Sequence, residues 1–171
     1  GNDGATTLGD SNTQPTGDTW NGKGQAARLE SKFVGVGSIG KFAAGNLFIG
    51  TYKETDGSNG ILDFGKPFTA RPTKLRGHYK YTTAPIAYVS SGYEHLKEKP
   101  DTCAIYVALG DWPEPVEIRT NPSNLAVFNK NDSHVIAYAE FYSGETTTEY
   151  KSFELTLDLS LIHISEPTRL G

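Results

Sequence analysis

The sequence predicts an all-β domain, an antiparallel β-sandwich of jelly-roll type. Residues of alternating polarity recur in six short runs, no stretch keeps a helical repeat over a normal helix length, and the runs are joined by long polar connections. Composition agrees: 19 glycines and 9 prolines supply turns, while 9 tyrosines and 8 phenylalanines suit half-buried strands. At 171 residues the chain is long enough for one domain with a sizeable core.

Taken in order, residues 1–24 are rich in Gly, Asn, Asp and Thr, carry Trp20, and read as loop. Strands follow at about 26–34 and 46–53, separated by the glycine-rich run 35–40. That run has the outline of a dinucleotide fingerprint but no following helix, so it reads as a loop. Asp56-Gly57-Ser58-Asn59-Gly60 reads as a plain turn; it lacks the closing glutamate of a calcium loop. The most informative stretch is 65–81. Its Pro67 and Pro72 forbid helix, and it then alternates strictly, with Leu75, Gly77, Tyr79 and Tyr81 on one face and Arg76, His78 and Lys80 on the other. A short strand at 85–88, a polar excursion at 90–101, a strand at 103–109 and a second excursion at 110–132 come next. Strands at 134–142 and 152–158 close the series.

Residues 159–169 resemble the translation of a transposase-type sequencing adapter, so 159–171 reads as a non-native tail. The jelly-roll part is then 25–158, with 1–24 as the loop-rich N-terminal stretch of the same domain. The sandwich is expected to be incomplete at the C-terminus and at the N-terminus.

Sorting strands by face separates a core from a working surface. Ala27, Leu29 and Phe33, then Cys103, Ile105, Val107 and Leu109, then Val135, Ala137, Ala139 and Phe141, and finally Phe153, Leu155 and Leu157 make the apolar side. Cys103 reads as a small packed residue and cannot form an internal disulfide, being the only cysteine. The other side collects Arg28, Glu30, Arg76, His78, Tyr106, Tyr138, Glu140 and Tyr142. Trp112, between Asp111 and Pro113, is placed either as an exposed stacking ring or as a plug at the sandwich end. Rings that stack on pyranose C–H faces beside charged groups that hydrogen-bond hydroxyls suit sugar recognition. The bland alternative is a solvated sheet face laced with ion pairs.

A net charge of −4 and a pI near 5.5 argue against nucleic acid or an anionic membrane as the main partner. No apolar run is long enough for a transmembrane helix, and no metal-ligand spacing is present.

Four segments resemble the putative carbohydrate metabolism domain of surface and periplasmic lipoproteins of gut-type Gram-negative bacteria. They are Gly24-Gln25-Ala26-Ala27-Arg28-Leu29-Glu30-Ser31-Lys32, Ala43-Ala44-Gly45-Asn46-Leu47-Phe48-Ile49-Gly50, the run 65–81, and Ile105-Tyr106-Val107-Ala108-Leu109-Gly110-Asp111-Trp112. The resemblance implies a jelly roll akin to carbohydrate-binding modules, an exported periplasmic or cell-surface lipoprotein, and a neighbouring immunoglobulin-like domain. It also implies further strands beyond Asp158, one of them acidic. A structural calcium therefore belongs to the complete domain, and the residues of this chain do not support one; no other cofactor is expected.

The resulting expectation is a non-catalytic glycan-binding module for an oligo- or polysaccharide. Two alternatives stand beside it. One is a glycoside-active enzyme using Glu30 and Glu140 as a carboxylate pair. The other is a structural or protein-interaction module of a glycan-uptake assembly.

Overall fold

The computed structural model describes residues 11–36, 39–57 and 59–159. Among them the chain is all-β and antiparallel, consistent with a β-sandwich, and none of its sheets closes into a barrel. The tail 160–171 and residues 1–10 lie outside the described residues. The strands are β1 (Thr13–Thr16), β2 (Ala26–Leu29), β3 (Lys32–Val36), β4 (Ile39–Ala43), β5 (Gly50–Asp56), β6 (Asn59–Phe64), β7 (Lys74–Tyr79), β8 (Cys103–Gly110), β9 (Val116–Arg119), β10 (Val135–Ser143) and β11 (Lys151–Thr156). They pair as β1–β2, β3–β4, β5–β6–β9, β8–β10 and β7–β11.

Two ladders make the core that positions the site. In β8–β10 Ile105 faces Phe141 and Val107 faces Ala139; in β7–β11 Gly77 faces Phe153 and Leu75 faces Leu155. Their inner sides meet through aromatic rings. Phe141 lies 5.2 Å from Tyr79 and 6.3 Å from Phe153, centroid to centroid. Such offset and edge-on contacts contribute beyond the area they bury. Leu155, Leu157 and Ala137 are buried nearby.

The loop between β10 and β11 is fastened to the chain that continues β7. Thr147 donates its N–H to the Tyr81 carbonyl at 2.7 Å, and its hydroxyl accepts the Tyr81 N–H at 3.0 Å. Gly77 is required where it stands, because a Cβ there would lie 2.6 Å from the Phe153 ring. A bare backbone lets the aromatic ring lie across the strand.

The alternation of 103–109 and 152–158 comes out as predicted, and that of 75–82 does too except at Leu75, which is expected inside and is exposed. The 26–34 run does not: it breaks at Glu30 and Ser31 into β2 and β3, which join different sheets. Ala27, Leu29 and Phe33, expected inside, are exposed. The reason is their partners: β2 pairs only with Thr-Gln-Pro-Thr, which offers no apolar face. Phe33 pairs with Phe42 under the single ring of Tyr88.

Five further points correct the sequence reading. β1 lies within the stretch read as loop, β9 within the polar excursion 110–132, and β6 follows the Asp56–Asn59 turn as the second arm of a hairpin. Within the glycine-rich 35–40 run, Gly35 and Val36 end β3 and Ile39 and Gly40 begin β4, paired Gly35↔Gly40 and Val36↔Ile39. The strand read at 85–88 reduces to one bridge, Pro85 to Pro100, because neither proline can donate to a ladder. In the other direction, the turn expected at 56–60 is found between β5 and β6, with Gly57 at φ 63°. Cys103 is half-buried, and burial raises its thiol pKa, as fits a packed side chain.

Replacing Gly77 by Ala should destabilise the domain by about 1–3 kcal/mol through overpacking against Phe153. A urea titration reads this as a lower midpoint; an unchanged midpoint would show that Phe153 can move away freely.

Candidate functional site

The outer face of β8–β10 is built by period-two alternation on both strands. Tyr138, Glu140 and Tyr142 are successive outward residues of β10, and Tyr106 of β8 stands directly opposite Glu140. The segment 127–130 crosses above this face and converts it into a groove of about 410 Å³. Ala104 and Tyr106 line it from β8, Val127, Phe128 and Lys130 from the crossing segment, and Tyr138, Glu140 and Tyr142 from β10.

Three rings form one wall. Phe128 is stacked 5.8 Å from Tyr106 and 6.1 Å from Tyr138, and Tyr106 lies 6.0 Å from Tyr138. Tyr106 stays 44% exposed and Tyr142 58% exposed, so ring surface remains open to a ligand.

Glu140 organises the polar wall. Its Oε1 accepts from the Lys130 ammonium at 2.6 Å; its Oε2 accepts from the Tyr138 hydroxyl at 2.6 Å and the Tyr142 hydroxyl at 3.0 Å. The Lys130 hydrogen bond first, then those of the tyrosines, hold its carboxyl well below the ordinary carboxylate range, at about 2. Reciprocally, Lys130 is raised chiefly by Glu140. Tyr138 is raised by burial first and by the carboxylate next, and Tyr142 by the carboxylate. Lys130 also sits 5.4 Å over the Tyr138 ring.

Short turns fix Lys130 and Phe128 in place. The Asn129 side chain accepts the Asn131 N–H, and Asp132 accepts both the N–H and the ring nitrogen of His134. Trp112 supports the same corner. Its indole is half-buried, hydrogen-bonds Asp132, and meets Phe128 edge-on at 6.0 Å. It lies across Gly110 so closely that a Cβ there would be 2.0 Å from the ring. Of the two placements considered for Trp112, the structure gives a packed ring behind the groove.

Strict alternation through 134–142 fails at one point. Val135 pairs with Gly110 and Ala137 with Leu109, which leaves Ile136 as the extra residue of a bulge. His134 therefore belongs to the preceding turn.

The remaining candidates lie elsewhere. Arg28 and Glu30 face each other at 3.7 Å on and just after β2, both exposed, and neither lines the groove. Arg76 is paired with Glu154 at 2.6 Å on β7–β11. His78, on the same face, carries the Trp20 ring flat against it. Residue parity thus found Tyr106, Tyr138, Glu140 and Tyr142 together but could not say which sheet holds each strand. Phe128 and Lys130 were missed: they sit in the polar excursion. The only signal was an apolar pair, Val127-Phe128, inside it.

Among the described residues no cluster of three His, Cys, Asp or Glu is placed to hold a metal. Asp56 is instead the acceptor of Asn121 at 2.8 Å. No described helix is long and apolar enough to cross a membrane.

The fold and the groove together define an all-β domain with an aromatic, carboxylate-centred recess on one sheet face. The chain belongs to the putative carbohydrate metabolism domain family, whose model matches residues 1–166. No curated protein and no solved structure matches it.

Because Glu140 is depressed in the folded chain, its hydrogen bonds contribute stability that is present above the ordinary carboxylate range. That contribution is lost as pH falls toward about 2. A carboxyl ¹³C NMR titration should give Glu140 a midpoint near that value, and Lys130→Ala should raise it. A midpoint in the ordinary range for the unmodified chain would contradict the arrangement.

Proposed function

We propose that this domain binds carbohydrate non-catalytically in the β8–β10 groove. The observation that carries the reading is a carboxylate, Glu140, flanked by two exposed rings, Tyr106 and Tyr142, with the half-buried Phe128 beside them. Pyranose rings offer apolar C–H faces for the rings and hydroxyls for the polar wall. Both tyrosine hydroxyls give their protons to Glu140, so toward a ligand they act as acceptors. Lys130 keeps two further N–H donors beyond the one on Glu140. The groove therefore suits a neutral, hydroxyl-rich ligand that supplies protons. A shallow groove of this kind supports modest affinity.

Glycoside hydrolysis by Glu30 and Glu140 is not favoured. Glu30 sits just after β2 beside Arg28 and does not line the groove, and Glu140, ionised at neutral pH, has no proton to give a leaving group. From the family resemblance we further infer an exported lipoprotein, in the periplasm or at the cell surface, in which this domain adjoins an immunoglobulin-like one.

The full chain tested on a glycan array should bind one class of neutral glycan saturably. Tyr106→Ala should weaken that binding up to about tenfold, as expected for loss of one stacking ring. A folded chain that captures no glycan on a broad array, yet binds a partner lipoprotein, would replace this reading with a protein-interaction role.

A further inference from the structure

The second tryptophan-bearing region of the chain is not part of the groove. Trp20 lies in the tight loop between β1 and β2 and is 58% exposed. Its indole is stacked on His78 of β7, centroids 4.1 Å apart and planes 4° from parallel. The imidazole covers one face of the indole, and the exposure lies on the rest.

The loop that carries Trp20 is fixed to the sheet at its base. Asp18 accepts from the Lys80 ammonium at 2.6 Å, and the Tyr150 hydroxyl donates to the Asp18 carbonyl at 2.5 Å. Lys80 stands 5.0 Å over the Tyr150 ring. The loop closes on itself through Gly22 N–H to the Thr19 carbonyl and Lys23 N–H to the Asn21 side chain. Gly22 and Gly24 take φ of 70° and 72°, which only glycine adopts without strain. Polar groups border the ring on the sheet: Ser152 is the cross-strand partner of His78, and Arg76 with Glu154 is the next pair along that face.

An exposed tryptophan held flat by this many contacts has little ordering entropy left to lose on binding. It is an exposed plane outside the groove, so it suits the face of one sugar ring in an extended chain. We propose that the Trp20–His78 stack is a second, flat carbohydrate-stacking platform that engages pyranose rings of a polysaccharide independently of the groove. It shares with the groove reading only the chemical class of ligand.

The test is a ¹⁵N NMR titration of the full chain with soluble neutral β-glucan, xylan and galactomannan. The two indole N–H signals are assigned by Trp20→Phe. The Trp20 signal should shift saturably with at least one polysaccharide and should still do so in Tyr106→Ala. Trp20→Ala should weaken polysaccharide binding about tenfold or more, with Trp20→Phe intermediate, and amide dispersion confirms that each variant is folded.

A Trp20 signal unmoved by all three polymers, or moved only while Tyr106 is intact, overturns the platform. If Trp20→Ala abolishes binding and Tyr106→Ala does not, the platform stands and the groove reading falls. Loss through Tyr106→Ala alone has the opposite meaning.

Discussion

The site depends on the register between β8 and β10. With a side-chain period of two, a slip of one residue would turn Tyr106 inward and Ile105 outward, exchanging core and groove together. Pairing Tyr106 with Glu140 and Ile105 with Phe141 satisfies both faces at once. The bulge at Ile136 lies at the start of β10, before the three residues that matter, so it absorbs the turn from 129–134 without disturbing them. On the inner side the same register delivers Phe141 to Tyr79 and Phe153, the contact that joins the two principal ladders.

The groove is therefore part of what holds the domain together. Among the described residues only Ile61, Ile118, Ala137, Leu155 and Leu157 are buried apolar side chains, and none reaches complete burial. Phe128, Tyr106, Tyr138 and Trp112 cover one another on the outer face, which adds apolar contact where the core is thin. The ion pairs elsewhere, such as Arg28 with Glu30 or Lys151 with Glu145, are solvent-exposed and contribute little to stability. Glu140 differs because one carboxylate collects three donors in fixed positions, so its charge orders the wall as well as neutralising Lys130.

What could be read in the sequence follows from what alternation encodes. It states which side of its own strand a residue occupies, and so Tyr106, Tyr138, Glu140 and Tyr142 were legible as one face. It is silent on which strand lies beside which. Arg28 and Glu30 have the same parity signature as Glu140, but Arg28 sits in the β1–β2 ladder and Glu30 just after it. Arg76 and His78 have it too, and they belong to β7–β11. β1 was illegible because Pro15 interrupts its pattern; β9 was too short, at Val-Glu-Ile-Arg, to stand out beside three nearby prolines. Phe128 and Lys130 carry no periodic signal, since the Asx turns that aim them depend on Asn129 and Asp132, residues common to any loop.

The two aromatic surfaces differ in how they would contribute to recognition. In the groove Tyr106, Phe128 and Tyr138 have neighbouring rings and Glu140 has three donors, so a ligand must fit hydrogen bonds already assigned: acceptors at Tyr138 and Tyr142, donors at Lys130. That arrangement discriminates, because a ligand carrying its own acceptor toward Tyr138 or Tyr142 leaves a lone pair facing a lone pair. At Trp20 the geometry fixes only a plane. A bare aromatic plane attracts any apolar ring face of matching size and selects poorly among sugars. A domain that selects at one place and adheres at another can hold a long polymer through two weak contacts. Once the first is made, the second is intramolecular and draws on a high effective concentration.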